Sequence, residues 1–201
     1  ISSLGDTLYE LNSDGELIPE LASGMPIISK DRLKIVINLR KNVFFHDGTS
    51  FNSNAIKFTF DRFKRIGTMN YILGNKIKSI ETPSEYSVII NLNKPSSSIN
   101  GLLTSVNLTP ISPTFYQEYS DKFLNEKFVG TGKYVLSSFS NEVQSIDPNL
   151  NYWGEKPLNE GIDFVGYSNS SSLFGALKSK QIDVLLSCLL YTSPSPRDDA
   201  T

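Results

Sequence analysis

The chain contains a single histidine, His46, and it stands in the segment Phe45-His46-Asp47-Gly48. A nucleophilic triad needs such a base held beside a serine, threonine or cysteine. A lone histidine in an Asp-Gly turn is more often a solvated or hydrogen-bonded turn residue, so His46 is read as structural. Gly130-Thr131-Gly132-Lys133 has the look of a phosphate loop. It lacks both the four-residue gap between glycines and the Ser or Thr after lysine that would hold magnesium, so that reading fails. Carboxylate pairs can be drawn from Asp31, Asp47, Glu81 and Glu85, but acids in turns are usually solvated, and no spacing separates an acid from a base. One cysteine, Cys188, forms no internal disulfide, and one histidine makes no metal cluster unless carboxylates supply most ligands. The residues therefore specify no catalytic group, no metal and no cofactor. Tyr152 and Trp153 could stack on a ligand, although an aromatic pair bordering a Gly-Glu-Lys-Pro turn more often packs into the scaffold.

The elements that carry these residues mix strands and helices. Leu8 to Leu11 reads as a strand entering the turn Asn12-Ser13-Asp14-Gly15. Leu33, Ile35, Ile37 and Leu39 alternate with Lys34, Val36 and Asn38, the period of a half-buried strand, and Val43 to Phe45 continues in extended form. Phe44, Phe45 and Phe51 are expected to anchor the Asp47-Gly48 turn in the core. Asn52 or Ser53 can cap a helix whose Ile56, Phe60 and Phe63 form one apolar stripe. Tyr86, Val88, Ile90 and Leu92 repeat the strand pattern, which Pro95 ends. Ile99, Leu102 and Leu103 fit a short helix, and Thr114 to Tyr119 another that starts after Pro113. Tyr134 to Phe139 and Val143 to Ile146 read as strands, Ser171 to Lys178 as a helix, and Ile182 to Leu185 as a final buried strand.

With 201 residues and 39% hydrophobic content, the chain can bury a sizeable core in one large domain or two small ones. Its 19 basic and 21 acidic residues are interspersed, for a net charge of -2. No basic stripe is present to release counterions from nucleic acid, which is excluded as an expected partner. No run of about eighteen apolar residues occurs. The chain begins at Ile1 without a basic segment followed by an apolar one, so any signal peptide lies outside it.

Four segments occur in an order that identifies a family: LYELNSDGELIPELA, LKIVINLRKNVFFHDGTSFNSNAIKFTFDRF, GTGKY and NYWGEKP. Together they resemble the oligopeptide, dipeptide and nickel class of solute-binding proteins for ABC importers, family 5, from about Leu4 to Leu185. The resemblance implies an α/β (mixed α+β) fold, a partial periplasmic-binding-protein type II lobe with mixed sheets and flanking helices. Residues 1–187 would be the incomplete first lobe of a two-lobed protein, with about 25–125 as its accessory sub-domain. Three positions depart from the family pattern: Lys133 stands in place of the proline of GTGPY, Met25 lies where a tryptophan is usual, and Ser50 replaces the proline after the HDGT threonine.

The function implied is capture of a short peptide or related small solute between lobes and delivery to an ABC permease in the membrane. Such a protein is no enzyme; it acts as a monomer in the periplasm or outside the cytoplasm, with a lipid anchor as one option. The family pattern offers two ligand-binding candidates, Tyr71 after the first helix and Asn107 in the loop before Pro110. A tyrosine presents an apolar face and a hydroxyl, an asparagine both donor and acceptor, so either could hold a peptide-like backbone. Alternatives are the sensing domain of a regulatory protein, or a secreted hydrolase, which the missing nucleophile-base pair disfavours. Residues 188–201 are set apart. CLLYTSPSPRD resembles the translated end of a transposase adaptor used in sequencing libraries, whose codons TGT CTC TTA TAC ACA TCT would give Cys188 to Ser193. The expected native chain then ends near Leu186 or Ser187.

Overall fold

The computed structural model describes residues 3–66, 75–96, 99–119 and 127–186. Two compact units divide it, residues 1–164 and 165–201. The first unit opens with a hairpin, β1 (Tyr9–Leu11) against β2 (Leu17–Pro19). Its turn works as the Asn-Ser-Asp-Gly signal implies: the Asn12 side-chain carbonyl accepts the N–H groups of Asp14 and Glu16, and Gly15 takes the left-handed conformation at φ 78°.

A four-stranded antiparallel sheet follows, in the order β3 (Ile27–Ile28), β4 (Lys34–Asn38), β6 (Ser87–Leu92), β5 (Ile77–Ser84). Ile35 and Ile37 on β4 and Val88, Ile90 and Leu92 on β6 are buried, so the alternation in the sequence is the alternation of the pleat. Strands β2, β3 and β5 carry no such pattern and are not legible from the sequence. Ile27 and Ile28 are both exposed, and β5 is broken by two register shifts that interrupt its period.

Helix α1 (Ser53–Ile66) packs against β5 and buries Ala55, Ile56 and Phe60, with Phe63 partly buried against the same core. The capping choice resolves by division of labour. The Asn52 side chain accepts the Asn54 N–H at 3.0 Å, while the Ser53 hydroxyl donates to the Ser84 carbonyl and ties the helix start to the β5–β6 turn. Further along, α2 (Ile99–Leu103) buries Leu102 and Leu103, and a 3-10 turn occupies Val106–Leu108. In α3 (Pro113–Glu118), Pro113 is itself inside the first turn, and the cap is Ser112, whose hydroxyl accepts the Phe115 N–H.

A second sheet joins β7 (Tyr134–Phe139), β8 (Val143–Pro148) and β9 (Ile162–Val165) in that order. In the second unit, α4 (Ser170–Lys178) is capped by Asn169, which accepts the Ser172 N–H. The final strand expected at Ile182 to Leu185 does not form. Val184 is 80% exposed, and without a neighbouring strand to satisfy its backbone a short apolar run gains nothing by extending.

The Phe44 expectation also needs correction. Val43, Phe45 and Phe51 are buried, and the rings of Phe45 and Phe51 meet edge to face at 6.1 Å, but Phe44 is exposed. In extended chain between two buried residues it must point the other way.

The approach to β7 is unusually close. Gly132 donates to the Leu4 carbonyl and Tyr134 to that of Ser3. A Cβ built on Gly132 would sit 2.3 Å from the Leu4 carbonyl carbon and 2.4 Å from the Gly5 nitrogen, both backbone atoms that cannot swing aside. Gly132→Ala should therefore cost at least about 2 kcal/mol by overpacking. Gly101→Ala, in α2 with nothing within 4 Å of the new methyl, should be neutral or stabilising by about 0.5–1 kcal/mol. Urea titration of both variants checks the contrast, and equal stability would contradict the packing described.

Candidate functional site

The Asp6 carboxylate is the junction of the motifs. Asp6 is 4% exposed. Its Oδ2 accepts the Trp153 indole N–H at 2.8 Å and the Thr131 hydroxyl at 2.9 Å, and its Oδ1 accepts the Tyr152 hydroxyl at 3.1 Å. Burial raises the pKa of Asp6, and the bonds from Trp153, Thr131 and Tyr152 oppose the rise. One acid thus gathers the amino-terminal segment, the Gly130-Thr131-Gly132 loop and the Tyr152-Trp153 pair. The polar atoms of both aromatics are occupied, and the Arg40 guanidinium lies 4.4 Å from the Trp153 ring centroid. This is the scaffold role expected for them.

His46 belongs to the same junction. Its backbone N–H donates to the Gly130 carbonyl, and its Nε2 lies 3.1 Å from the Gly132 carbonyl, which also accepts from the Asn149 amide. A carbonyl only accepts, so Nε2 carries the proton. Nδ1 is buried without a partner at hydrogen-bond geometry. Burial lowers the histidine pKa, against the pull of the Gly132 and Phe128 carbonyls and of Asp6 and Asp47. No serine, threonine or cysteine hydroxyl or thiol is bonded to the ring among the described residues. The Ser112 hydroxyl donates to Asp47 instead. Neither a triad nor a phosphate loop is assembled, because the loop's Gly132 N–H and carbonyls serve neighbouring backbone and side chains.

A hollow of about 390 Å³ opens beside β1, lined by Gly5, Thr7, Glu10, Glu20, Thr104 and Val106 among others. Gly5 and Thr7 line it, while the Asp6 side chain between them turns into the junction. Oε2 of Glu20 accepts the Thr7 N–H at 2.8 Å and lies 3.0 Å from the Thr7 hydroxyl, whose one proton it shares with the Tyr9 carbonyl at 2.8 Å. Its pKa is raised to about 7, first by burial, then by the charges of Asp6 and Glu10. Neither glutamate was singled out in the sequence, where nothing distinguishes them from solvated acids. A second hollow of about 770 Å³ borders the His46 turn and Trp153. The polar groups there, including Asn149, are largely bonded within the protein.

Of the two residues suggested by family pattern, Asn107 is exposed in the 3-10 turn, directly after Val106, which lines the first hollow. Tyr71 lies outside the described residues. Among the described residues no group of three or more His, Cys, Asp or Glu could hold a metal ion, and no helix is long and apolar enough to cross a membrane.

The shift at His46 gives a pH signature of defined sign. The folded pKa of His46 lies below the unfolded value of about 6.5. Its contribution is therefore intact above that value and lost as pH falls towards the folded pKa. His46→Gln should lose less stability on acidification than the wild type, read as melting temperature between about pH 7 and 5; parallel curves would refute the assignment.

A family model described as bacterial extracellular solute-binding proteins, family 5 Middle, matches residues 16–199. The glutathione-binding protein GsiB of Salmonella choleraesuis (strain SC-B67) is 30% identical over 149 residues, covering 73% of this chain and 29% of the relative. DppA of Helicobacter pylori, a periplasmic binding protein solved in complex with the peptide STSA, matches at 26% identity and TM-score 0.78, over 90% of this chain and 40% of that one. Listeria monocytogenes OppA bound to peptide shares the fold at TM-score 0.82 and 19% identity, over 90% of this chain and 40% of that one. The chain spans about a third of the length of the curated relatives it matches. Its mixed sheets and flanking helices are those of the type II periplasmic-binding-protein fold, and the chain belongs to the family 5 bacterial extracellular solute-binding proteins.

Proposed function

We propose that the parent of this chain is the solute-binding component of an ABC importer, which captures a short peptide or related small solute and presents it to a membrane permease. The observation that carries this reading is the hollow beside β1, a concave wall with an unspent carboxylate oxygen and no assembled catalytic group. Residues 1–187 serve as the incomplete first lobe, with about 25–125, including the β3–β4–β6–β5 sheet, as accessory sub-domain. Closure of a second lobe over this wall excludes water from the solute, and the closed form docks on the permease. The parent acts outside the cytoplasm as a monomer and catalyses no reaction. Residues 188–201 derive from adaptor sequence, which sequencing the source DNA would establish.

Asn107 and Tyr71 are proposed as ligand contacts. The exposed amide of Asn107 stands one residue from the hollow's rim and is free to pair with a peptide-like backbone.

Calorimetry of the full-length parent against dipeptides, longer peptides, chelated nickel and oligosaccharides should detect binding to one class. Silence across all four would end the transport reading. Alanine at Asn107 or Tyr71 should weaken that binding by about 1–2 kcal/mol, as for a lost buried hydrogen bond, with the melting temperature unchanged. Unaltered affinity would remove the residue from the site.

A further inference from the structure

We propose that Glu20 selects solutes that place a positively charged group, a protonated amine or a guanidinium, in the hollow beside β1, an inference that rests on the solute-capture reading above. Glu20 follows Pro19 at the end of β2 and is half-buried. The Thr7 N–H donates to Oε2, the Thr7 hydroxyl shares its one proton between Oε2 and the Tyr9 carbonyl, and Oε1 has no hydrogen bond among the described residues. The side chain is thus positioned but left half-satisfied, with its open oxygen at a surface hollow.

The charge of Glu20 has no partner among the described residues. It forms no ion pair, and no lysine or arginine lines the hollow. Arg40 is the near cation, yet its Nε donates to the backbone carbonyl of Glu20 and its guanidinium lies over Trp153. The groups that act on the carboxyl from neighbouring segments are acids, Asp6 in the amino-terminal segment and Glu10 on β1, and both make ionisation harder. The Thr7 bonds favour ionisation but do not overcome burial. A half-buried carboxylate of this kind is costly until a cation reaches it, and a cation that does so gains most where competing water is scarce.

The rest of the lining agrees. The Thr104 hydroxyl donates to the Asn100 carbonyl, and that of Tyr9 to the Gly24 carbonyl, so neither offers a free donor to an anionic group. An anionic solute end placed here would meet Glu10 and Glu20 with no cation to offset them. Entry of a cation would also draw the Glu20 pKa down from about 7, so binding near neutral pH releases a proton.

The test uses the full-length parent and three N-acetylated tripeptide probes, acetyl-Ala-Lys-Ala, acetyl-Ala-Arg-Ala and acetyl-Ala-Met-Ala, whose central side chains are of similar length and which carry no cation but that side chain. The wild type should bind the lysyl or arginyl peptide about tenfold or more tighter than the methionyl one, a difference of about 1.4 kcal/mol. Glu20→Gln keeps an acceptor for the Thr7 donors; it should erase that preference while leaving methionyl-peptide affinity within about twofold. Calorimetry at pH 7 in buffers of different ionisation enthalpy should show proton release with the cationic peptide in the wild type and none in the variant. A preference that survives Glu20→Gln, with both peptides bound, would assign discrimination elsewhere and overturn the inference while leaving solute capture intact. Equal wild-type affinity for all three peptides would also overturn it. Loss of all binding in the variant with an unchanged melting temperature would be consistent only with Glu20 contacting every solute, which refutes charge selection. If the wild type binds none of these peptides and no member of the broader solute panel, the solute-capture reading itself fails.

Discussion

The first unit is organised around one buried carboxylate. Asp6 accepts three side-chain donors from residues more than a hundred positions away in sequence, and an acid so deeply placed is tolerated only because its lone pairs are used. Removing any of those donors would leave a charge with fewer bonds in a dry environment, so the segments are bound to keep their relative placement. The glycine loop can approach residues 3–5 only because Gly130 and Gly132 lack side chains, and His46 then seals the loop from the other side. The hollow adjoins this junction: the Asp6 side chain enters the junction, and its neighbours Gly5 and Thr7 line the hollow.

This arrangement explains why segments that look chemical are mechanical. Histidine, glycine loop, tyrosine and tryptophan each have a catalytic or ligand-stacking reading in isolation. Brought together, they occupy most of one another's hydrogen-bonding groups, and burial pushes the imidazole towards its neutral form with Nδ1 buried and unpaired. The residues with capacity to spare are Glu20 and Glu10, ordinary in the sequence and made unusual by a hollow with no cation in it. His46 and Glu20 therefore give pH dependences of opposite sign. Falling pH weakens the fold through His46, and rising pH weakens it through Glu20, whose raised pKa contributes stability below its unfolded value of about 4.5 that is lost as pH rises to about 7.

Family membership accounts for the scaffold, and the chain spans about a third of the length of the curated relatives it matches. Under the proposed solute-capture reading, a wall with a spare carboxylate suits a site completed by closure, since the cost of the half-buried acid is recovered when a cationic solute reaches it. The departures at Met25, Ser50 and Lys133 fall outside the hollow's lining. Lys133 instead places its ammonium 5.8 Å from the Tyr152 ring centroid, so the departure from the family's proline adds a contact to the junction.

By itself the sequence determined those features that depend on nearest neighbours. The strands β4, β6, β7 and β8 were legible because alternating residues report a pleat, α1 because Ile56, Phe60 and Phe63 share one face, and the turns because Asn, Asp and Gly have local backbone preferences. The four segments in order also identified the family. Only the tertiary structure decided what depends on distant residues meeting: the short edge strands β2 and β3, the outward turn of Phe44, the missing strand after Ile182, and the roles of Asp6 and Glu20. A carboxylate's identity is local, but its burial, its donors and the absence of a cation are properties of segments folded against it, and no spacing along the chain encodes them.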